Sequence, residues 1–247
     1  MNAQNKTVVI TGASSGIGFA LAEAYLKRGY NVVGNARTAE RLQAAAAKLG
    51  HPQNFLQVAG DIALPATAKE LFASAIATFG KVDILINNAG IFIAKAVGAY
   101  TEQDLDALVG TNLKGFFYPS QEAAAHMSAN KDGHIVTITA SIAMHPNVKL
   151  PALLPVLIKG GLNHATRGLA LELAAANVRV NAVAPGSIDT PLHSADEGTT
   201  NFRKALAPSG QTGHTDDIVD AVLYLTDSKF TSGTILNVDG GATTGTW

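Results

Sequence analysis

The chain has 247 residues, a formal net charge of -1 and no cysteine. A nearly neutral charge gives no electrostatic attraction to nucleic acid, and the lack of cysteine excludes disulfides, thiolate nucleophiles and cysteine-bound metals. Hydrophobic residues make up 47% of the chain, enough for a sizeable core, but no apolar run reaches the roughly 18 residues of a membrane span. We therefore expect neither a nucleic-acid nor a membrane partner, and the absence of cysteine suits a reducing compartment such as the cytoplasm.

Seven short segments rich in Val and Ile predict strands that are buried on both faces. In chain order they are TVVITG, NVVGNA, NFLQVAG, DILINNAG, HIVTITAS, VRVNAVAPG and TILNVDGG. Segments with helical periodicity lie between them, among them SGIGFALAEAYLKRG, TAERLQAAAAKLG and LPATAKELFASAIATFG. Several of these end at a glycine, as helices commonly do.

This alternation of strands and helices predicts an α/β fold: a doubly wound parallel sheet of about seven strands with helices on both faces. No linker, repeat or low-complexity tract interrupts the pattern, so we predict one domain over residues 1–247. The span at about 189–213 is polar and has no clear period, and we predict that it is a substrate lid.

A glycine-rich turn, TGASSGIG at residues 11–18, follows the first strand and opens the first helix. Glycines at such a turn let the backbone approach a pyrophosphate, and the helix start offers free N–H groups to the anion. The spacing here is Gly-x-x-x-Gly-x-Gly, which differs from the Gly-x-Gly-x-x-Gly fingerprint of other dinucleotide-binding folds. Taken alone, the turn therefore predicts either a dinucleotide site or a structural glycine turn.

Six motifs together resemble those of the classical short-chain dehydrogenase/reductase family. Within that family the chain resembles members of the 3-oxoacyl-acyl-carrier-protein reductase type. The motifs are TGASSGIG at 11–18, NNAG at 87–90, TNLKG at 111–115, ITAS at 138–141, VRVNAVAPGSIDT at 178–190 and ILNVDGG at 235–241. The resemblance covers nearly the whole chain. It implies a Rossmann-type fold and a nicotinamide-dependent oxidoreductase that acts on a carbonyl or secondary alcohol.

The resemblance also implies a set of cofactor contacts. They are Gly12, Ser14, Ser15, Gly16, Ile17 and Gly18 in the turn, Asp61 and Ile62 at the adenine, Asn88, Ala89 and Gly90 at the ribose, Pro185, Gly186, Ile188 and Thr190 at the nicotinamide, and Lys159. An acidic residue after the second strand is typical of NAD binding. The aligned position is Ala36 and is followed by Arg37, a cation that suits the 2′-phosphate of NADP. We predict a preference for NADP(H), with NAD(H) as the alternative if Arg37 is only a solvated residue at a helix start.

The catalytic set of the family is incomplete here. By motif, Asn112, Ser141 and Lys159 match the family's Asn, Ser and Lys, but the family's proton-donating Tyr lies four residues before the Lys, and that position is Pro155. Shifting the alignment to Lys149 does not supply the Tyr, because that Lys lies too few residues after Ser141 and follows a His by four. Pro155 falls in the first turn of a predicted helix, where proline is tolerated.

Two histidines are candidates for a replacement donor, because an imidazole titrates near neutral pH. They are His145, in the loop after Ser141, and His193, in the predicted lid. Each has an alternative interpretation as a solvated surface side chain. The apolar stretch LPALLPVLI around Pro155 predicts either an apolar cleft wall or the ordinary packing of a helix start. No His, Asp and Glu residues have the spacing of metal ligands.

Two functions follow from this incomplete set. The first is an NADP(H)-dependent oxidoreductase with an altered proton donor, which the retained Asn, Ser and Lys favour. The second is a weak or inactive NADP-binding homologue that acts as a sensor or assembly partner, which the missing Tyr favours. An engineered or drifted form of an active enzyme is a third possibility. The resemblance implies a homotetramer assembled through segments at about 102–130, 155–176 and 234–240.

Overall fold

A computed structural model describes residues 5–191 and 196–245. All seven predicted strands are present and form one parallel sheet in the order β3-β2-β1-β4-β5-β6-β7. Their bounds are β1 Thr7–Thr11, β2 Asn31–Ala36, β3 Phe55–Ala59, β4 Ile84–Asn87, β5 Gly133–Ile138, β6 Val178–Pro185 and β7 Ile235–Val238. The predicted doubly wound α/β fold is therefore confirmed.

Eight α-helices cover the two faces of this sheet within the described residues. They are α1 Gly16–Lys27, α2 Ala39–Lys48, α3 Pro65–Phe79, α4 Glu102–Leu108, α5 Gly115–Asn130, α6 Leu153–Glu172, α7 Glu197–Lys204 and α8 Thr215–Asp227. A π-helical segment, Val109–Lys114, joins α4 to α5. A helix also ends at a glycine as predicted: α3 ends at Gly80, whose φ of 85° is a left-handed conformation that favours glycine. No helix in the described part of the chain combines the length and apolarity needed to cross a bilayer.

The register of the central strands shows why the strands are apolar throughout. Val8 of β1 pairs with Val32 of β2 on one side and Ile84 of β4 on the other, so β1 lies in the middle of the sheet. One face of the sheet contributes Val8 to a hydrophobic cluster that includes residues of α1 and α8, and the other contributes Val9 to a cluster that includes residues of α3 and α5. Both faces are buried, as the continuous apolar runs predicted.

The strand order reverses between β1 and β4, because β2 and β3 lie on one side of β1 and the later strands lie on the other. In open parallel sheets a crevice forms outside the carboxyl ends of the strands at such a reversal, and ligands bind there. The chain order alone therefore directs attention to the ends of β1 and β4, where the glycine turn and the NNAG motif lie.

One region differs from expectation. The span at about 189–213, in which no helical period was recognised, contains the eight-residue helix α7. This helix is short and mostly polar, with Phe202 as its one large apolar side chain, so no repeated apolar positions mark it in the sequence. Asp196 caps it by accepting a hydrogen bond from the Thr199 N–H at 2.8 Å. Residues 192–195, which include His193, lie outside the described residues.

Candidate active site

A cleft of about 510 Å³ opens at the carboxyl edge of the sheet. It brings together most of the residues that the motifs predicted. Its lining includes Gly12, Ser14, Ser15, Gly16, Ile17, Arg37, Asp61, Ile62, Asn88, Ala89, Gly90, Ser141, Lys159, Pro185, Gly186, Ile188 and Thr190. Three predicted site residues, Gly18, Asn112 and Pro155, are not part of this lining, and each has a different position in the structure.

The glycine turn leaves its backbone open to the cleft. Gly12 and Gly16 have φ values of 68° and 55°, in the left-handed region where side chains are disfavoured. Gly18 lies behind the turn, where an added Cβ would be 2.3 Å from the Gly12 carbonyl oxygen. Glycine is therefore needed at 18 for close packing of α1 on the strand end, and its contribution to the site is indirect. No acidic residue lies in the first turn of α1, so the helix start can accept an anion.

Hydrogen bonds join the NNAG loop to the glycine turn. The Asn88 side-chain amide donates to the Thr11 and Gly12 carbonyls at 2.9 and 3.2 Å. The Thr11 hydroxyl oxygen in turn accepts from the backbone N–H groups of Asn88 and Ala89, each at 3.0 Å. These bonds hold the ends of β1 and β4 in one arrangement, so the cleft floor is formed before any ligand binds.

Asn112 lies in the π-helical segment, one layer behind the cleft. Its side-chain oxygen accepts from the Ile91 N–H at 2.8 Å, and its amide donates to the Ile91 carbonyl at 2.9 Å. π-helical turns inside helices are frequent at functional sites, and here the turn presents the amide to the strand-end loop. Asn112 therefore positions the segment that follows Gly90.

Lys159 reaches the cleft from α6. Its ammonium donates to the Ile138 carbonyl at 2.8 Å, and only 9% of the residue is exposed. Burial disfavours the charged form and lowers the pKa of Lys159 to about 8. No ion pair among the described residues includes this lysine. Its amine is therefore held near the end of β5 without a carboxylate that would keep it charged.

Ser141 begins a short 3-10 turn three residues after the end of β5 and, like Lys159, lines the cleft. The Ser141 carbonyl accepts from the His145 N–H at 3.1 Å, which keeps the loop folded over the strand end. His145 is exposed and also lines the cleft, so it remains a candidate donor. None of the residues that line the cleft in the described part of the chain is a tyrosine.

Pro155 is the third residue of α6 and therefore lies in the first turn of the helix, as predicted. The first helical hydrogen bond runs from the Val156 N–H to the Ala152 carbonyl at 2.9 Å, so the N–H that proline lacks would have had no helical partner. Pro155 is buried and does not line the cleft. Of the two interpretations of LPALLPVLI, the ordinary packing of a helix start fits most of the stretch: Leu150 alone of these residues lines the cleft, and Leu157 is 64% exposed.

The part of the cleft beyond the end of β2 carries two cations. Arg37 follows β2 directly and lines the cleft, and so does Arg41, which sequence reasoning missed. Thr38 caps α2 by accepting from the Arg41 N–H at 3.5 Å, which places Arg41 in the first turn of the helix. The signal was available in the sequence: a Thr N-cap three residues before Arg41 brings both guanidinium groups to the same helix start.

Helix α7 closes the opposite wall of the cleft. Thr199, Phe202 and Leu206 line it, together with the buried Arg203. Arg203 donates to the Ile188 carbonyl at 2.8 Å and pairs with Asp189 at 2.9 Å, which ties the helix to the segment after β6. These residues belong to no recognisable motif, so only the fold reveals them. No group of His, Cys, Asp and Glu in the described residues is arranged to hold a metal ion.

Gly90 is a point where the site can be tested. A Cβ at Gly90 would be 3.2 Å from the Asn112 side-chain oxygen and 3.4 Å from the Lys159 nitrogen. We expect Gly90→Ala to shift these groups at a cost of about 1 kcal/mol, the low end for overpacking, and to weaken NADPH binding about fivefold. Calorimetry measures the affinity. Gly98→Ala is the matched control, since a Cβ there would have no atom within 4 Å. Equal affinities of the two variants would contradict the assignment of Gly90 to the cofactor-binding site.

Comparison with known proteins gives consistent matches over the whole length. A family model described as enoyl-(acyl carrier protein) reductase matches residues 12–243. A subunit of (2S)-[(R)-hydroxy(phenyl)methyl]succinyl-CoA dehydrogenase from Thauera aromatica is 36% identical, with 98% of each chain covered. The crystal structure of 3-ketoacyl-(acyl-carrier-protein) reductase from Brucella melitensis complexed with NADH is 30% identical at a TM-score of 0.88, covering 97% of this chain and 99% of that one. ElxO with NADP bound is 27% identical at a TM-score of 0.91, covering 98% and 100%.

Proposed function

This chain belongs to the short-chain dehydrogenase/reductase family and is an oxidoreductase. From that premise we propose that it prefers NADP(H) to NAD(H) and uses a proton donor other than the family's tyrosine. Its substrate in this proposal is a small carbonyl compound or the corresponding secondary alcohol. The observation that carries the proposal is the single cleft that holds Ser141 and Lys159 at one end and Arg37 at the other.

The residues of the cleft fit a nicotinamide dinucleotide. The open glycine turn and the start of α1 suit the pyrophosphate, and the Asn88–Gly90 loop suits a ribose. Relatives of similar structure hold NADH or NADP. When bound, the cofactor supplies or accepts the hydride. Arg37 and Arg41 are the cations that would hold a 2′-phosphate, and the only carboxylate in the described lining is Asp61.

The residues near Lys159 supply binding and proton chemistry. The Ser141 hydroxyl can donate a hydrogen bond to a substrate carbonyl oxygen, which orients the carbonyl. Lys159 offers further N–H donors to a ribose hydroxyl, since the Ile138 carbonyl takes only one of its three. Asn112 fixes the backbone after Gly90 and so the position of the loop that faces the lysine. The α7 segment, tied down by Arg203, is the substrate lid of this proposal.

The absence of a phenol leaves a second candidate function, a cofactor-binding homologue with little turnover. One experiment separates the two: NADPH oxidation is measured against a panel of ketones, with NADPH binding measured in parallel by calorimetry. We expect both binding and turnover. Binding without turnover would favour the second function, and no binding of either dinucleotide would contradict both.

The cytoplasm is the location that we propose, because the chain contains no cysteine.

We also propose that the protein is a homotetramer. Exposed apolar side chains occur on the segments that the family resemblance assigns to the interfaces, among them Leu113, Phe117 and Leu157. Closed assemblies of this kind are mostly built on two-fold axes. Light scattering at micromolar concentration should therefore give about four times the mass of one chain. A monomeric mass at that concentration would contradict the proposal.

A charge placed on this surface should disrupt the assembly. Leu157→Asp puts a carboxylate in the proposed interface, and we expect a smaller assembly with an unchanged fold. Leu64→Asp is the matched control, because Leu64 is 55% exposed and lies at the start of α3, outside the proposed interfaces. The same tetrameric mass for both variants would place the interface elsewhere.

A further inference from the structure

The group best placed to replace the missing phenol is the amine of Lys159. We propose that Lys159 itself donates the proton in carbonyl reduction and removes it in alcohol oxidation. It would thereby take over the role of the family's tyrosine, which Pro155 replaces in this sequence. This inference rests on the proposed function, since it names the donor of that reaction.

The amine lies between two strand ends that face the cleft. On one side it donates to the carbonyl of Ile138, the last residue of β5 and three residues before Ser141. On the other it comes within 3.4 Å of a Cβ built on Gly90, which follows β4. The Ile138 carbonyl is its one hydrogen-bond partner among the described residues, so N–H groups remain for a substrate or for a water that bridges to one.

The charges around the cleft do not fix the protonation state of this amine. Arg37, Arg41 and Asp61 lie beyond the ends of β2 and β3, and Arg203 is paired with Asp189. His145 is exposed on the loop after Ser141. Burial is the cause of the lowered pKa of about 8, which makes both forms of the amine available near neutral pH. A lysine held by a carboxylate would stay charged and would donate poorly at that pH.

The reaction balances with these groups. The carbonyl carbon takes a hydride, with both electrons, from the reduced nicotinamide, which is thereby oxidised. The carbonyl oxygen takes a proton from the Lys159 ammonium, directly or through one water. The C=O π bond, an N–H bond of the ammonium and the C–H bond of the reduced nicotinamide that carries the hydride break. A C–H bond and an O–H bond form on the substrate, and the neutral amine then regains a proton from solvent.

The pH dependence of the rate tests this assignment. In reduction the donor must be protonated, so kcat/KM should be level below about pH 8 and fall about tenfold per pH unit above it. In oxidation the amine must be neutral, so the rate should rise to a plateau above the same pH. Lys159→Arg keeps the positive charge but cannot lose its proton in this range. We expect this variant to lose at least about 10²-fold in kcat/KM, together with the inflection, while still binding NADPH.

Two further variants separate Lys159 from other titrating groups. His145→Gln should keep the inflection, whatever it does to the rate. Lys69→Arg, an exposed lysine on α3, is the matched control and should change neither. If Lys159→Arg does not fold, Lys159→Met removes the titrating amine together with its charge and should also lose the inflection, with melting temperature as the check on folding.

A titration without cofactor gives a readout that is independent of turnover. In protein labelled with 13Cε-lysine, the NMR signal that is missing from Lys159→Arg should titrate near pH 8, against about 10.4 for a free lysine. A midpoint near 10 overturns the inference. So does turnover that survives Lys159→Arg, or an inflection that His145→Gln removes, and these leave the proposed function standing. A wild-type protein that binds NADPH but shows no turnover overturns the proposed function and this inference together.

Discussion

Replacement of Pro155 by Tyr should raise kcat/KM for ketone reduction by at least about tenfold, toward the 10²–10⁴-fold that a general acid typically contributes. Lys159, Ser141 and the Asn112 anchor are already in place, and the phenol is the missing group. A tyrosine at the third helical position needs no new backbone conformation, because Pro155 is tolerated there and supplies no hydrogen bond. If Lys159 already donates the proton, the gain lies toward the lower end of the range, since the phenol then replaces a working acid.

The size of the ring is the main obstacle to this gain. Pro155 is buried and does not line the cleft, so a tyrosine must make room, at a cost of about 1–3 kcal/mol for overpacking. Leu154, Val156 and Leu157 do not line the cleft and therefore do not fill the space that the ring would enter there.

Pro155→Phe is the matched control, because it adds the same ring without the hydroxyl. The rates of both variants on a ketone panel, with NADPH affinity and melting temperature for each, distinguish proton donation from packing. We expect the gain with Tyr and not with Phe. Equal rates for two folded variants that bind NADPH would show that the missing phenol is not what limits this site.

The central strands of this fold could be predicted because a strand buried on both faces leaves a continuous apolar run, whereas the edge strand β7 has no buried residue and only a short apolar run marks it. β2 was predicted with its exact bounds, and every other strand to within a few residues. Helix α7 could not be predicted, since a helix of eight mostly polar residues with Phe202 as its one large apolar side chain has too few apolar positions to define a period. Its cleft-lining residues, Phe202 and Arg203, were missed for the same reason.

Motifs predicted which residues come together but not which way they face. Gly18 and Asn112 were both assigned to the site, and both lie one layer behind it, where they hold Gly12 and Ile91 in position. Other residues that line the cleft, such as Phe92 and Leu150, come from loops without a motif. A sequence pattern records a needed residue type, whereas accessibility depends on packing between segments that are far apart in the chain.

NADP(H) should bind this protein about 10- to 100-fold more tightly than NAD(H). Arg37 and Arg41 line the end of the cleft beyond β2, and the residue that would carry a carboxylate in an NAD-binding site is the buried Ala36. A hydrogen bond to a charged group contributes about 1.5–3 kcal/mol, and 1.4 kcal/mol corresponds to a factor of ten in affinity. Removing the phosphate contact with Arg37→Ala should therefore weaken NADPH binding by most of this factor and leave NADH binding unchanged.

Calorimetry with both dinucleotides measures this preference, and the second cation provides a graded test. Arg41→Ala should also weaken NADPH binding, and by less if Arg37 makes the more direct contact, while the double variant should bind the two dinucleotides equally. Lys48→Ala is the matched control, since it removes a cation from the far end of the same helix, away from the cleft. Because the contacts are exposed, the preference should narrow as salt concentration rises. Equal affinity of the wild-type protein for NADH and NADPH would mean that the two arginines are solvated and hold no phosphate.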